Sequence, residues 1–494
     1  MNANGPTADI LVIGGGVSGM TAAIEASEAG AQVLLVEKNP YLGGRVTALN
    51  QYFPKLCPPQ CGLEINLRRI RTSPRIRTMT LASVEKISGG AGHYQVTIRR
   101  QPRGVNAKCT ACGACVAACP VERSDAFNFG LSRTKAIYLP YAMAWPVRYV
   151  IDAAVCPGRS CGKCVPACPY GAIELDGQPE VIEMPVRAVI WATGWNPYNA
   201  ALIDGLGFGR YPNVITNVMM ERLAARNGPT GGKIQRPSDG AAVQSVAFVQ
   251  CAGSRDEHYL KHCSGVCCMV SLKQARYVRE QYPEAKISIF YIDLRTPGRQ
   301  EDFLASAEAD EKIEFIKGKV AKVTAVSGDG DLVVEAEDTL AGQRISRKVN
   351  LVVLATGMAP AVSDEPIAGG VALQRDQHGF LAEEQRQGGL FAAGCAKRPV
   401  DVAECVRDAT GAALQAVQEC HFSGASGTPT ENNSGPTSIA PGPHGGGVVQ
   451  SPRRPSADLP GVESPPSPVP AGACQAPSPG PSRDFQGVRP WITP

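Results

Sequence analysis

Between residues 8 and 38 the chain reads ADILVIGGGVSGMTAAIEASEAGAQVLLVEK: an apolar run, a glycine turn, an alanine-rich stretch, then a second apolar run. This pattern predicts strand, turn, helix, strand, which is a βαβ unit. Two further apolar runs end alike, AVIWATG at 188–194 and LVVLATG at 351–357, and read as buried strands. A third, SVAFVQC at 245–251, is followed by the helical pattern VSLKQARYVREQY and the apolar KISIFYID. That predicts a second βαβ half. The body is therefore expected to be α/β, with two nucleotide-binding-type domains. A cysteine-rich insert interrupts the pattern at 105–178, and from 423 to 494 the periodicity gives way to Pro, Gly and Ser, which predicts a disordered tail. The expected units are 1–104 and 179–240 for the first dinucleotide domain and its continuation, 241–350 for the second domain, and 351–422 for a segment that closes the first.

A length of 494 residues suits two or three domains. Lys and Arg number 49 against 45 Asp and Glu, with no long basic block, so no nucleic-acid partner is expected. The N-terminus lacks a basic segment followed by a long apolar one, and no run reaches the roughly 18 apolar residues of a membrane span. A cytoplasmic protein with no span of its own is expected. In that reducing compartment, 18 cysteines read as metal ligands or redox thiols before they read as disulfides.

Gly14, Gly16 and Gly19, with Gly15 among them, form GxGxxG directly after ILVI, and Glu37 and Lys38 end the next strand. The glycines allow a tight turn and a close backbone approach to a pyrophosphate at a helix N-terminus, while Glu37 would accept from ribose hydroxyls. The second βαβ half turns at Cys251-Ala-Gly-Ser254 instead, so no NAD(P)H site is expected there.

The insert holds Cys109-x2-Cys112-x2-Cys115-x3-Cys119-Pro and Cys156-x4-Cys161-x2-Cys164-x3-Cys168-Pro. The first run has the spacing of a bacterial [4Fe-4S] half-ferredoxin and the second differs by two extra residues in its first gap; together they predict a ferredoxin-like 2[4Fe-4S] segment, in which the fourth cysteine of each run turns to the other cluster. Cys109, Cys112, Cys115 and Cys168 are assigned to one cluster, and Cys156, Cys161, Cys164 and Cys119 to the other. The alternative is a pair of structural zinc sites in a non-catalytic, zinc-stapled scaffold, although zinc sites lack this run. Cys251, Cys263, Cys267 and Cys268 follow a different spacing, at a strand end and a helix start where α/β folds place sites. Cys57 and Cys61, in KLCPPQCG, read either as a flavin-coupled dithiol or as structural residues. His378, His421 and the remaining single cysteines read as ordinary surface or core residues.

The continuation EKNPYLGGRV, with Gly43, Gly44 and Arg45, resembles the two-dinucleotide-domain, thioredoxin-reductase-like flavoproteins. The resemblance implies FAD as the ligand, and it places Thr193, Gly194, Thr356 and Gly357 of the two ATG ends near the domain junctions. GGLFAAGCAKRPVDVAECVRDATGAALQAV resembles that family's closing motif, with Gly394 in place and Cys395 where an Asp is usual. The substitution puts the ribityl contact, though not the helix, in question.

From residue 8 to about 420 the chain also resembles the A subunits of heterodisulfide reductases, through QCAGSRDE…HCSGVCCM, KAIYLPY, ATGW and YPNVIT. EKNPYLGGRVTALNQYFPKLCPPQCGLEI, ERLAARNGPTGGKIQRPSDGAA, SLKQARYVREQYPEAK and YIDLRTPGR resemble, more narrowly, the flavin-carrying A subunits of the quinone-interacting membrane-bound oxidoreductase (Qmo) complex. The first resemblance implies an unusual [4Fe-4S] cluster on Cys251, Cys263, Cys267 and Cys268 close to FAD. The second implies electron relay between a membrane quinone pool and adenylylsulfate reductase in sulfur metabolism. Its implied partners are a second flavin and iron-sulfur protein and a haem-containing membrane protein, through which the chain would attach peripherally to the membrane. Both ferredoxin runs are present here, whereas some Qmo A subunits reduce or lack them. A soluble heterodisulfide-reductase-like complex acting on thiol and disulfide carriers therefore stays open.

Overall fold

The run Ile10–Ile13 forms the central strand of a five-stranded parallel sheet. Ala188–Trp191 and Val33–Glu37 flank it, with Leu390–Ala392 and Ile76–Thr80 outermost. In the computed structural model of the chain, the described residues are 8–53, 56–326, 330–362, 369–383, 385 and 387–425. Helices Val17–Glu28 and Val402–Ala425 cover one face, where Ile10 and Val12 pack with Met20, Ile24, Ala409 and Ala413. An antiparallel sheet of Ala82–Gly90, His93–Arg100 and Glu180–Val186 covers the other, where Leu11 meets Ile98 and Met184. Strands buried on both faces need no polar alternation, which is why they read as unbroken apolar runs.

The cysteine-rich insert leaves this small sheet after Arg100 and returns at Glu180, and those two residues pair across the antiparallel ladder. Its short helices, Ala114–Ala118 and Cys164–Ala167, each begin inside a cysteine run and pack together around Val105, Cys115, Ile137 and Ala172. The long link between the two runs crosses the first domain. Its Phe127 stacks on Tyr141 with ring centres 5.1 Å apart, and Tyr41 meets both rings edge-on.

A second five-stranded parallel sheet runs Val214–Thr216, Leu351–Thr356, Ser245–Ala252, Lys286–Tyr291 and Ile313–Lys317. Helices Asn217–Ala224 and Cys267–Gln281 lie on one face, and the antiparallel strands Val320–Ala325, Leu332–Asp338 and Gln343–Val349 on the other. The two sheets are joined by an antiparallel ribbon of Trp195–Pro197 with Met358–Pro360. This corrects the expected boundaries at 240/241 and 350/351, both of which cut through the second sheet. Val214–Thr216 and Leu351–Thr356 belong to it because the chain enters and leaves that domain through the ribbon. The two ATG strands look alike in sequence, yet one serves each domain. Helix Val402–Ala425 also runs past the expected tail boundary at 423; the tail from 426 onward lies outside the described residues.

Candidate functional site

A cavity of about 1040 Å³ opens at the carboxyl ends of Ile10–Ile13 and Ala188–Trp191, where open α/β sheets bind ligands. Gly14, Gly16, Glu37, Lys38, Gly44, Arg45, Thr193, Gly194, Thr356 and Cys395 line it. Gly15, Gly19, Gly43, Gly357 and Gly394 lie outside that lining. At Gly14, φ is +106° and a Cβ would stand 2.3 Å from the Ala192 carbonyl oxygen, so only glycine lets the turn approach this strand. Gly44, at φ +60°, brings the GGRV segment against the glycine turn, with room for a Cβ only 2.7 Å from Gly16 Cα.

Glu37 is buried at the end of its strand, and its carboxylate accepts from the backbone N–H of Gly15 at 2.6 Å and of Asn39 at 2.7 Å. Burial raises its pKa, and the two backbone donors oppose that shift. Arg45 donates to the Trp195 carbonyl oxygen and the Asn196 side chain on the ribbon and sits over the Trp195 ring. The Thr193 hydroxyl is buried on the cavity wall without a hydrogen-bond partner. A cavity of this size lined by a glycine turn, a strand-end carboxylate and an orphaned hydroxyl fits a bound dinucleotide.

The opposite wall belongs to the second domain. Cys251, at φ +53°, lies in a bulge just before the end of strand Ser245–Ala252, and Cys267 and Cys268 open helix Cys267–Gln281. Cys251, Cys267 and Cys268 are buried, and Cys263 lies on the loop between them, with the Gly265 N–H donating to its Sγ at 3.3 Å. The four sulfurs lie close enough to act on one another electrostatically. Burial, then Cys268 and Cys263 among others, pushes the Cys251 thiol up to about 11. Burial and then the other three thiols raise Cys267 as well. Burial disfavours charge on Cys251, Cys267 and Cys268, which makes them poor free nucleophiles, and a metal cluster would supply the positive charge that such thiolates need. Next to Cys251, the side-chain amide of Gln250 and the Ser254 hydroxyl are buried without partners, which fits a polar group absent from the protein atoms alone. Cys267 itself lines the cavity.

In the insert the thiols divide into two groups by mutual influence. Burial, then Cys109, and more weakly Cys168 raise Cys115 to about 11. Cys164 is raised by burial and then by Cys156, Cys119 and Cys161. Cys119 and Cys168 thus each fall with the other run's cysteines. Cys112 acts on Tyr149 together with Cys115 and Cys109. Backbone N–H groups of Ala111 and Ala172 donate to Cys109 and Cys168 Sγ, both at 3.4 Å, the kind of bond that tunes the potential of a cluster held by such sulfurs. Among the described residues no three Cys, His, Asp or Glu converge on a single metal-ion position. A four-iron cube takes its thiolates at separate corners.

Cys57 and Cys61 lie beside Tyr52, whose phenol is raised first by burial and then by these two thiols. Tyr52 lines the cavity; neither cysteine does, and Cys61 is exposed at the start of helix Gln60–Thr72. Sequence reasoning passed over the residues that tie the walls together. Lys273 pairs with Glu221 at 3.1 Å, both buried, and donates to the Gln51 carbonyl oxygen. Arg222, fully buried, donates to Asn128 of the insert and the Ala48 carbonyl oxygen and sits 4.7 Å from the Phe127 ring centre. A charged residue inside an amphipathic helix gives no sequence sign that it turns inward. Cys405, read as an ordinary residue, stands beside Cys395 on the cavity wall.

Fold and site together define an FAD-dependent, iron-sulfur oxidoreductase. The family profile "FAD dependent oxidoreductase" matches residues 9–64, and "4Fe-4S dicluster domain" matches 108–172. The iron-sulfur A subunit of the CoB–CoM heterodisulfide reductase of Methanocaldococcus jannaschii is 38% identical over 417 residues, covering 82% of this chain and 63% of the relative. One of the corresponding A subunits of Methanopyrus kandleri is 39% identical with the same coverage. The chain is homologous to these heterodisulfide reductase A subunits over most of its own length, and it spans less than two thirds of theirs. Thioredoxin reductases from T. acidophilum and Lactococcus lactis are similar in structure. They are 13% and 14% identical with TM-scores of 0.45 and 0.46, covering 84% of this chain and 98% and 99% of theirs. Among the described residues, no helix is long and apolar enough to cross a membrane.

Proposed function

We propose that the chain is an electron-relay subunit in which Cys251, Cys263, Cys267 and Cys268 hold a [4Fe-4S] port against FAD, and the insert carries two further clusters outward. The observation that carries this reading is that Cys267 and the GxGxxG turn share one cavity. Bound FAD supplies the exchange between two-electron and one-electron steps. The chain's own part is to hold and orient it: the Gly14–Gly16 turn would take the pyrophosphate and Glu37 the ribose, while Arg45 fixes the ribbon that joins the two domains. No acid-base or nucleophilic side chain is required for the relay. Cys57 and Cys61, outside the cavity lining, are assigned a structural role.

The finer reading follows the motifs EKNPYLGGRV and YIDLRTPGR: a Qmo-type flavin subunit, held peripherally at a membrane through its partners, relaying electrons between quinone and adenylylsulfate reductase. The second reading, a complex acting on thiol and disulfide carriers, draws on the relatives named for CoB–CoM heterodisulfide. The two are separated by purifying the chain with its partner proteins and offering quinol, NADH or thiols. Quinol-dependent reduction of the iron-sulfur centres is expected. Reduction by thiols with none from quinol contradicts the quinone reading in favour of the second.

A further inference from the structure

Cys395 and Cys405 are both buried and both line the dinucleotide cavity. Their sulfurs are 3.6 Å apart, and Cys395 Sγ also lies 3.4 Å from the Val400 carbonyl oxygen. Cys395 sits in the turn Gly394–Ala396 and Cys405 in the first turn of helix Val402–Ala425, so the loop that closes the cavity joins them. The Cys405 backbone N–H makes the helix's opening bond to the Asp401 carbonyl oxygen at 2.9 Å. A thiol in the first turn of a helix faces the positive end of its dipole, the setting of reactive cysteines. The neighbouring Cys395 thiol holds Cys405 below the ordinary thiol value against its burial, and the Ser18 hydroxyl adds to this. Cys395 is raised, first by its hydrogen bond with Cys405 and then by burial. Two buried thiols 3.6 Å apart, one of them in the first turn of a helix, are placed as disulfide chemistry requires.

We propose that Cys395 and Cys405 are a reversible dithiol–disulfide pair, a two-electron redox site in the wall of the dinucleotide cavity. Closing the pair breaks two S–H bonds, forms one S–S bond and releases two protons and two electrons. An oxidised flavin in the same cavity takes up those electrons and protons; opening the pair runs the same balance backward. The sulfurs must approach by about 1.5 Å to reach a bonded distance of about 2 Å. The identity of the acceptor rests on the FAD reading above; the existence of the pair does not.

The full chain carries its own assay, because trypsin cuts after Lys397 and so separates the two thiols into peptides 387–397 and 398–407. Anaerobic protein is equilibrated in glutathione buffers from reducing to oxidising, quenched in acid, alkylated and analysed by mass spectrometry. The two alkylated peptides are expected to disappear in parallel as one cross-linked peptide forms, reversibly and with two-electron dependence. Separate alkylation of both peptides at the most oxidising poise overturns the pair. Cys405→Ser is the control: no cross-link forms, and Cys395 stays alkylatable. Next, flavin-stripped protein is reduced, freed of reductant under argon and compared before and after one equivalent of oxidised flavin is added, with bound flavin quantified after release. Cross-linked peptide at least about tenfold more abundant with flavin supports the flavin as acceptor. Equal amounts overturn that assignment. A chain that holds no flavin contradicts the FAD reading while the glutathione titration still decides the pair.

Discussion

The Cys267 thiol lies 3.8 Å from the Thr356 carbonyl oxygen, and both residues line the same cavity. The contact ties the first turn of helix Cys267–Gln281 to the end of strand Leu351–Thr356. A cluster held by Cys267 would therefore stand in the wall that faces the glycine turn, and each prediction below probes one part of that placement.

Gly14→Ala forces a Cβ against the Ala192 carbonyl oxygen at φ +106°. A side chain at positive φ costs about 1–2 kcal/mol before any clash is counted. Flavin affinity is expected to fall at least about tenfold, equivalent to about 1.4 kcal/mol, measured by titrating flavin-stripped protein. The iron content should stay as in the parent protein.

Glu37→Gln replaces a carboxylate whose two oxygens both accept with an amide whose oxygen accepts but whose NH2 cannot. One of the buried donors, Gly15 or Asn39, then loses its partner. The expected cost is about 1–3 kcal/mol of stability, seen as a lower denaturation midpoint of the flavin-free chain. Flavin release should accelerate in parallel.

Cys119→Ser tests the crossing of ligands between the two runs. Its electron paramagnetic resonance spectrum should lose the same cluster signal as Cys164→Ser, while Cys168→Ser should match Cys115→Ser. If Cys119→Ser matches Cys115→Ser instead, each run holds its own cluster and the assignment is wrong.

Arg222→Ala removes the buried donor that joins Asn128, Ala48 and the Phe127 ring. About 2–4 kcal/mol of stability should be lost, and protease should cut the link between Cys119 and Cys156 faster than in the parent chain. Arg222→Lys should recover little of this, since an ammonium has neither the planar fork nor the ring contact.

Much of this was legible in the chain. GxGxxG, Glu37 and the two cysteine runs act through short spacings that the backbone converts directly into geometry: Gly14, Gly16 and Glu37 line one cavity, and each cysteine run contains a short helix. The domain boundaries were less readable, because Ala188–Trp191 and Leu351–Thr356 carry the same apolar run and the same ATG ending while serving different sheets. Only the antiparallel ribbon distinguishes them, and its pairing of Trp195–Pro197 with Met358–Pro360 joins segments far apart in sequence. The same separation hid Lys273 with Gln51 and Arg222 with Asn128. Cys405 was hidden differently: its distance from Cys395 in the chain spans a turn, a loop and a helix start, and no periodicity signals that the two meet.

The central claim is that Cys251, Cys263, Cys267 and Cys268 hold an iron-sulfur cluster at the flavin cavity. The most direct measurement is iron and acid-labile sulfide per chain in the parent protein and in Cys267→Ala, with flavin quantified in the same samples. A loss of about four iron and four sulfide with the flavin retained is the expected result. An unchanged iron count in Cys267→Ala, or zinc without sulfide in the parent protein, would contradict it.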